Sequence, residues 1–278
     1  MTYVSVVIPT FNKAGLVCDI IRKLNDQTFK DFEVLVIDDG STDKTTRKIK
    51  QMRREERHLK IKVFQTGLTD QFGMCNAINE GLRNASGILT LLLNDDIYLH
   101  CDCIAKHVEA QKYTNLRHAF LGPRLRCPPF KVGEGVIEPT IIRGWYRKYA
   151  ENKIYDGYCV YRKKMMVSSN FSIRTETLCK VGGYNEFFTR YTGAIDRDVY
   201  YRLIQAKVRI LFLPVAQAYS VTYGTQEYSQ TKWVQDNSTR DGLNVVDWKR
   251  KQMRYSEKME LKAREPGNKP LPIVRRKS

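Results

Sequence analysis

The sequence has no apolar run long enough to cross a bilayer. Its longest apolar stretches, such as ILTLLL at 88–93, fall far short of the roughly 20 residues that a membrane-spanning helix needs, so no transmembrane helix is expected. The opening MTYVSVVIPT carries no basic stretch, apolar core or small-residue cleavage site. It reads as a strand of the fold, and a cytosolic location is expected. Histidine is scarce, and His58, His100, His107 and His118 form no ligand constellation in the sequence; His100 alone lies near an acidic cluster. The seven cysteines include no CxxC arrangement, and the close pair Cys101 and Cys103 is one residue apart. Reduced thiols without structural zinc are expected. There is no internal repeat.

Positive charge is in excess, with a net value of +17 over 278 residues. Residues 124–174 carry 11 Lys/Arg against 4 Asp/Glu, and residues 249–278 carry 11 against 3, so most of the imbalance sits in two segments. That distribution suggests an anionic partner such as a phosphorylated glycan, membrane headgroups or nucleic acid, with a solubilising tail as the plain alternative.

The first half alternates strand and helix patterns: YVSVVIP, a helix from about Ala14 to Asp26, FEVLVID, a helix from Ser41 into RREERH, IKVFQT, a helix from about Gln71 to Asn84, and GILTLLL. Nearly continuous Val, Ile and Leu in the strands predicts an α/β fold, with a Rossmann-like, mainly parallel sheet covered on both faces. The second half is less regular. LRHAFLGPRL and MMVSSNFSIR read as strands, TETLCKVGG as a short helix stopped by Gly182, IDRDVYYRLIQA as an amphipathic helix, and VRILFLP as a closing strand. Residues 123–164 read as a long functional loop or small insertion. VVDWKRKQMRYSEKMELKAR is a basic helical candidate, and PGNKPLPIVRRKS is expected to be disordered.

In an open α/β sheet a ligand binds beyond the carboxyl ends of the strands, where Pro9, Thr10, Phe11 and Asn12, then Asp38 and Asp39, then Asn94, Asp95 and Asp96 all fall. Asp38 and Asp39 precede a turn and a helix start. They either favour that helix's dipole while Ser41 or Thr42 caps it, or accept hydrogen bonds from a uracil-like base or ribose hydroxyls. Adjacent acids after LTLLL are costly to bury unpaired, and a hard cation such as Mg²⁺ or Mn²⁺ takes oxygen ligands from such carboxylates and from phosphates.

SVVIPTFNKAGLV, QTFKDFEVLVIDDGSTD, the AINEGLRNASG helix end, LNDD, the VGGYNEFF turn and IDRD together resemble the family 2 glycosyltransferases of the GT-A fold, over roughly residues 3–213. The resemblance implies a nucleotide-diphosphate-sugar donor, with UDP favoured, and inverting transfer to an acceptor hydroxyl. Pro9 to Asn12 would approach the nucleotide, and Asp39 would contact the base. Asn94, Asp95 and Asp96 resemble a DxD motif whose first acid is Asn; aligning on Asn94 favours Asp96 as the direct metal ligand, whereas aligning on Ile97 favours Asp95. Asp196 matches the second acid of an ED pair and is the candidate general base, with Ile195 replacing the Glu and Asp198 orienting the base or contacting acceptor. Ser220 stands where the family often has a metal-binding His. Arg202 faces either a diphosphate or a nearby acid.

The implied organisation is a glycosyltransferase domain over 1–213, with a nucleotide-binding half (1–96) and an acceptor-binding half (97–213), followed by a basic extension over 214–278. Trp145, Tyr146, Tyr149, Tyr155, Tyr158 and Tyr161 interleave with Arg147, Lys148, Arg162, Lys163 and Lys164, a composition suited to stacking on sugars or bases and holding anions. A lipid-linked or surface glycan is the leading acceptor, reached by peripheral contact of the basic tail with an anionic membrane. Nucleic acid with hydroxymethylated bases is the alternative. A noncatalytic polyanion-binding module on a degenerate transferase fold is a third reading, motivated by Asn94, Ile195 and Ser220.

Overall fold

Val- and Ile-rich segments become strands where both faces of the pleat can be buried, and three of the first four strands meet that condition, the third lying at the sheet edge and partly exposed. A computed structural model describes residues 2–67, 73–114, 118–127, 154–155, 158–160, 168–186 and 195–221. Strands β1 (Val4–Thr10), β2 (Phe32–Asp38), β3 (Lys60–Gln65) and β4 (Leu89–Leu93) alternate with helices α1 (Ala14–Leu24), α2 (Thr45–Glu55) and α3 (Met74–Asn84). They form a parallel block in the order β3-β2-β1-β4. Val4, Val6 and Ile8 of β1 pack into one core with Val34, Val36 and Leu91, whereas Val7, Leu35, Ile37 and Leu92 point into a second core across the sheet. Helices α1 and α2 cover the first face and α3 the second. A Cβ on Gly81 of α3 would lie 2.4 Å from Val7 Cγ1, so the missing side chain sets how closely α3 approaches β1.

The chain continues through β5 (Ile97–Leu99), α4 (Cys103–Tyr113), β6 (His118–Leu121), β7 (Arg124–Cys127), β8 (Ile154–Tyr155), β9 (Tyr158–Val160), β10 (Asn170–Arg174), α5 (Thr175–Lys180), α6 (Ile195–Gln205), β11 (Arg209–Phe212) and β12 (Ala218–Val221). The large sheet extends to β3-β2-β1-β4-β10-β6-β11-β9-β8. β10 is antiparallel to both β4 and β6, β11 is parallel to β6, and β9 is antiparallel to β11 and β8. Within this sheet β10 and β9 run opposite to β1, which makes the sheet mixed and mainly parallel. A small sheet, β5-β12-β7, sits beside it.

Helix and strand identities in the first half agree with expectation, with ends trimmed by a few residues. LRHAFLGPRL does not form one strand: it breaks at Gly122 and Pro123 into β6 and β7, which join different sheets. The break is packed tightly, since a Cβ on Gly122 would lie 2.1 Å from Asn170 Nδ2 and 2.3 Å from the Ala216 carbonyl oxygen. Helix α5 ends as expected, with Gly182 at φ 88° and Gly183 at φ 62°, a region costly for residues with a Cβ. β12 lies past the expected boundary at residue 213 and pairs with β5 and β7, so the fold runs to at least Val221. No described helix is long and apolar enough to cross a membrane. The aromatic segment 145–149 and 161–164, the basic helical candidate and the C-terminal PGNKPLPIVRRKS lie outside the described residues.

Candidate functional site

The parallel block brings the carboxyl ends of β1, β2 and β4 side by side, because β1 pairs with both β2 and β4. Thr10 stands opposite Asp38 in register, and the Asp39 N–H donates to the Thr10 carbonyl at 2.9 Å. Pro9 and Thr10 are buried, while Phe11 and Asn12 are half-buried. Asn12 has a positive φ of 52°, which turns its side chain over the β2–α2 loop. There its Oδ1 accepts from the N–H groups of Thr42 (2.8 Å) and Asp43 (3.2 Å), and its own N–H donates to Ser41 Oγ at 2.9 Å.

Neither Ser41 nor Thr42 caps α2, whose N-cap position is Lys44, and the aspartates brace the loop before it. Asp38 accepts from the Ser41 N–H at 2.9 Å and from Thr46 Oγ1. Asp43 accepts from the Thr45 N–H at 2.9 Å and the Ala14 N–H at 3.2 Å, tying together the starts of α1 and α2. Asp39 is buried and accepts from Thr66 Oγ1 at 3.0 Å and from the Gly73 N–H. Burial pushes its carboxyl up to about 6, against the stabilising effect of those two donors, with the Asp38 charge adding to the rise.

Asp95 and Asp96 occupy the turn between β4 and β5. Asp95 is buried and paired with Lys13 Nζ at 2.8 Å. Asp96 has a different environment: its Oδ1 is buried with no hydrogen-bond partner among the described residues, as is Thr10 Oγ1. Burial raises the Asp96 carboxyl above its ordinary range; Lys13 and Arg124 pull it down, and Asp95 pushes it further up. An unmet buried oxygen costs about 1–3 kcal/mol, so these atoms fit a site completed by a ligand. The hard carboxylate oxygen of Asp96 suits a Mg²⁺ or Mn²⁺ ion, whereas Asp95 already has the Lys13 ammonium. No third His, Cys, Asp or Glu among the described residues clusters with this pair, so phosphate and water oxygens would complete any such shell. Ser220, across from Ile97 in the β12–β5 register, stands beside the same turn.

Asp196 lies in the first turn of α6, where it complements the helix dipole. Its Oδ1 accepts from the Ser168 N–H at 3.3 Å and from Ser168 Oγ. Its Oδ2 has no hydrogen-bond partner among the described residues. Burial pushes the carboxyl up to about 6, opposed by the Ser168 donors and the Arg124 charge. Asp198 instead turns into the protein, where it forms a buried ion pair with Arg202 through Nε at 2.9 Å and through Nη2. Arg202 also donates to the Val181 carbonyl, so of its two expected roles the nearby acid is the one occupied.

Two contributors escaped the sequence reading. Arg124, at the start of β7, lowers the carboxyls of both Asp96 and Asp196, which places one guanidinium in the neighbourhood of the metal candidate and the base candidate. Only the surrounding excess of basic residues hinted at it. The other is the clamp between α3 and the VGGYNEFF turn. Asn79 accepts from the Tyr184 N–H at 2.8 Å and donates to its carbonyl at 2.7 Å, while Glu186 accepts from Asn76, Asn79 and Arg83.

The histidines divide. His107 is buried, with Nε2 3.0 Å from Asn170 Oδ1 and Nδ1 2.8 Å from Ser172 Oγ; Asn170 Nδ2 donates to the Ala216 and Pro123 carbonyls, so Oδ1 is the acceptor and His107 carries its proton on Nε2. Burial pulls its pKa down to about 4, against the hydrogen bond to Asn170, and it stays neutral. His100, Cys101 and Asp102 hold ligand-type atoms within 4.8 Å of one another, a grouping that the sequence reading did not expect. The Asp102 N–H donates to His100 Nδ1 at 3.3 Å, and Thr28 Oγ1 donates to Asp102 at 2.9 Å, so that turn is braced internally.

A model of the glycosyl transferase family 2 matches residues 5–174. The GalNAc(5)-diNAcBac-PP-undecaprenol beta-1,3-glucosyltransferase of Campylobacter jejuni is 33% identical over 96 residues, covering 34% of this chain and 30% of that protein. The match spans about a third or less of the length of the curated relatives, from 34% down to 13%. A structure of Staphylococcus aureus TarS in complex with UDP-GlcNAc superposes with a TM-score of 0.62 at 21% identity, covering 82% of this chain and 62% of that one. The mannosyltransferase PcManGT from Pyrobaculum calidifontis, in complex with GDP-Man and Mn²⁺, gives 0.63 at 19% identity, covering 83% and 59%. These structural likenesses establish the GT-A fold. With more than half of its length inside the family model, the chain belongs to the family 2 glycosyltransferases.

Proposed function

We propose that the chain transfers a sugar from a nucleotide-diphosphate sugar, with UDP as the favoured nucleotide, to an acceptor hydroxyl with inversion. The observation that carries this reading is the pair of buried oxygens without partners, Thr10 Oγ1 and Asp96 Oδ1, at the ends of neighbouring strands. In this reading Pro9 to Asn12, Asp38, Asp39 and Asn94 form the nucleotide side, with Asp39 as the acceptor for a base N–H. Lys13 and Arg124 supply the chain's own positive charge toward a leaving diphosphate. Mg²⁺ or Mn²⁺ held by Asp96, with Asp95 adjoining, would neutralise further charge on the diphosphate. Asp196 Oδ2 takes the acceptor proton. With a pKa of about 6, Asp196 is ionised at neutral pH yet basic enough to share a proton in the transition state. Residues 1–96 supply most of the donor side, joined by Arg124, and the acceptor side lies within the part that follows residue 96.

A lipid-linked or surface glycan is the acceptor this reading favours. Support comes from the Campylobacter relative, whose name specifies an undecaprenol-linked acceptor, and from the excess basic charge, which suits an anionic acceptor or membrane surface. The test is a screen of UDP-, GDP- and dTDP-sugars with Mn²⁺ or EDTA, offering undecaprenyl-diphosphate-linked glycan or hydroxymethylated DNA. Turnover that needs the glycan and falls about 10²–10⁴-fold in both Asp96→Ala and Asp196→Asn supports the reading. Turnover with DNA alone would move the acceptor to nucleic acid, and polyanion binding without turnover of any donor would leave a binding module.

A further inference from the structure

We infer that Ser168 and Tyr184 are positioning residues that fix one oxygen of Asp196, so that its other oxygen alone meets the acceptor hydroxyl. The inference rests on the transferase reading above. Ser168 is buried just before β10, and both of its donors, N–H and Oγ–H, go to the same atom, Asp196 Oδ1. A serine hydroxyl has one proton. Because that proton is given to the carboxylate, Ser168 Oγ accepts from Tyr184 Oη, and the bonds run one way from Tyr184 through Ser168 to Asp196.

Tyr184 is held firmly enough to serve as the anchor. Its ring is fully buried, and both backbone polar groups are clamped by Asn79 of α3. The base candidate is thereby tied to the helix whose preceding Gly73 N–H contacts Asp39 on the donor side.

Few other groups can set the charge state of Asp196. The charge of Arg124, at the start of β7, lowers its carboxyl. Asp198 and Arg202, further along α6, largely cancel each other in their ion pair. The Cys75 thiol of α3, pushed up to about 12 by burial, and the Tyr184 phenol, raised by burial, are both neutral near pH 7. Ser168 therefore supplies the main local donors that favour the carboxylate, and deleting its hydroxyl leaves burial less opposed.

The test uses the full chain, with Asp196 observed by carboxyl ¹³C NMR and assigned through Asp196→Asn, in parallel with pH–rate profiles on the active donor. Ser168→Ala is expected to raise the Asp196 pKa, and the acid limb of kcat with it, by about one pH unit. On the plateau, kcat falls about tenfold with donor KM unchanged, since orientation and not donor binding is lost. Tyr184→Phe, which keeps the buried ring, gives a smaller shift in the same direction, and Ser168→Thr restores the wild-type limb. Should Ser168→Ala fold poorly, Tyr184→Phe carries the test. An unmoved Asp196 titration in these variants, with turnover still dependent on Asp196, overturns the inference and leaves the transferase reading standing. A shifted titration in a protein that turns over no donor keeps the contact but removes the transferase role on which the inference rests.

Discussion

Asp196 and Glu33 are both carboxylates in desolvated surroundings, yet their neighbours drive them in opposite directions. At Asp196 burial outweighs its donors and the pKa rises to about 6. Stability is then greatest below the ordinary value of 3.8 and is lost as pH rises through about 6. Asp196→Asn should remove that penalty and stabilise the protein at pH 7.5 by roughly 1 kcal/mol, after discounting for partial exposure, while lowering transfer about 10²–10⁴-fold; urea denaturation at pH 5 and 7.5 measures the stability change. Glu33 sits at the opposite end of the sheet. Burial pushes its carboxyl up, but Lys62, Ser86 and Ser5 together hold it below 4.5. Its contribution is present above pH 4.5 and is lost as pH falls through the depressed value. Glu33→Gln should cost about 1–3 kcal/mol at pH 7 and flatten the acid limb of the stability curve, leaving donor KM unchanged. Sequence singled out Asp196 by its motif but gave no sign of Ser168 and only a regional excess of basic residues around Arg124, because both come from distant positions in the chain.

Helix α6 shows how an element can separate two acids two residues apart. Asp196 lies at its start with one oxygen unpartnered among the described residues, while Asp198 is locked to Arg202 one turn on. Removing one member of a buried pair strands the other charge, so Arg202→Met should destabilise by about 3–5 kcal/mol. The double variant Asp198→Leu/Arg202→Met should recover more than half of that loss by chemical denaturation, with the Val181 carbonyl left short of a donor. No recovery would mean that the arginine acts through contacts other than the ion pair. At this scale the long strands were legible because β1, β2 and β4 are apolar on both faces. Helix α4 was not, since His107 and Gln111 lie on its buried side and dilute the apolar period. β5 and β12, at 3 and 4 residues, are too short for a pattern and exist through pairing with each other.

Across the whole molecule, the donor and acceptor halves are not separate cores. One core joins Val6 and Val34 with Phe120, Leu211 and Tyr219, and the other joins Val7 and Leu35 with Phe171 and Val199. β10 lies between β4 and β6, so a boundary at residue 96 cuts through both cores and the sheet. Far-UV CD and hydrogen exchange in β1, β4, β10 and β11 should therefore report one coincident urea transition; two separated transitions would show the halves to be independent folding units.

By itself the sequence determined the alternation of apolar strands and helices, and with it a sheet whose carboxyl ends gather Thr10, Asp39 and Asp96. Those are consequences of local periodicity and of the parallel crossover rule. Tertiary structure alone decided which of the acids are engaged and how. Lys13 reaches Asp95, Asp96 keeps an unpartnered oxygen among the described residues, Arg202 claims Asp198, and Ser168 holds Asp196. The physical reason is that a carboxylate's state depends on desolvation and on donors a few ångströms away, and those donors come from segments far apart in the chain.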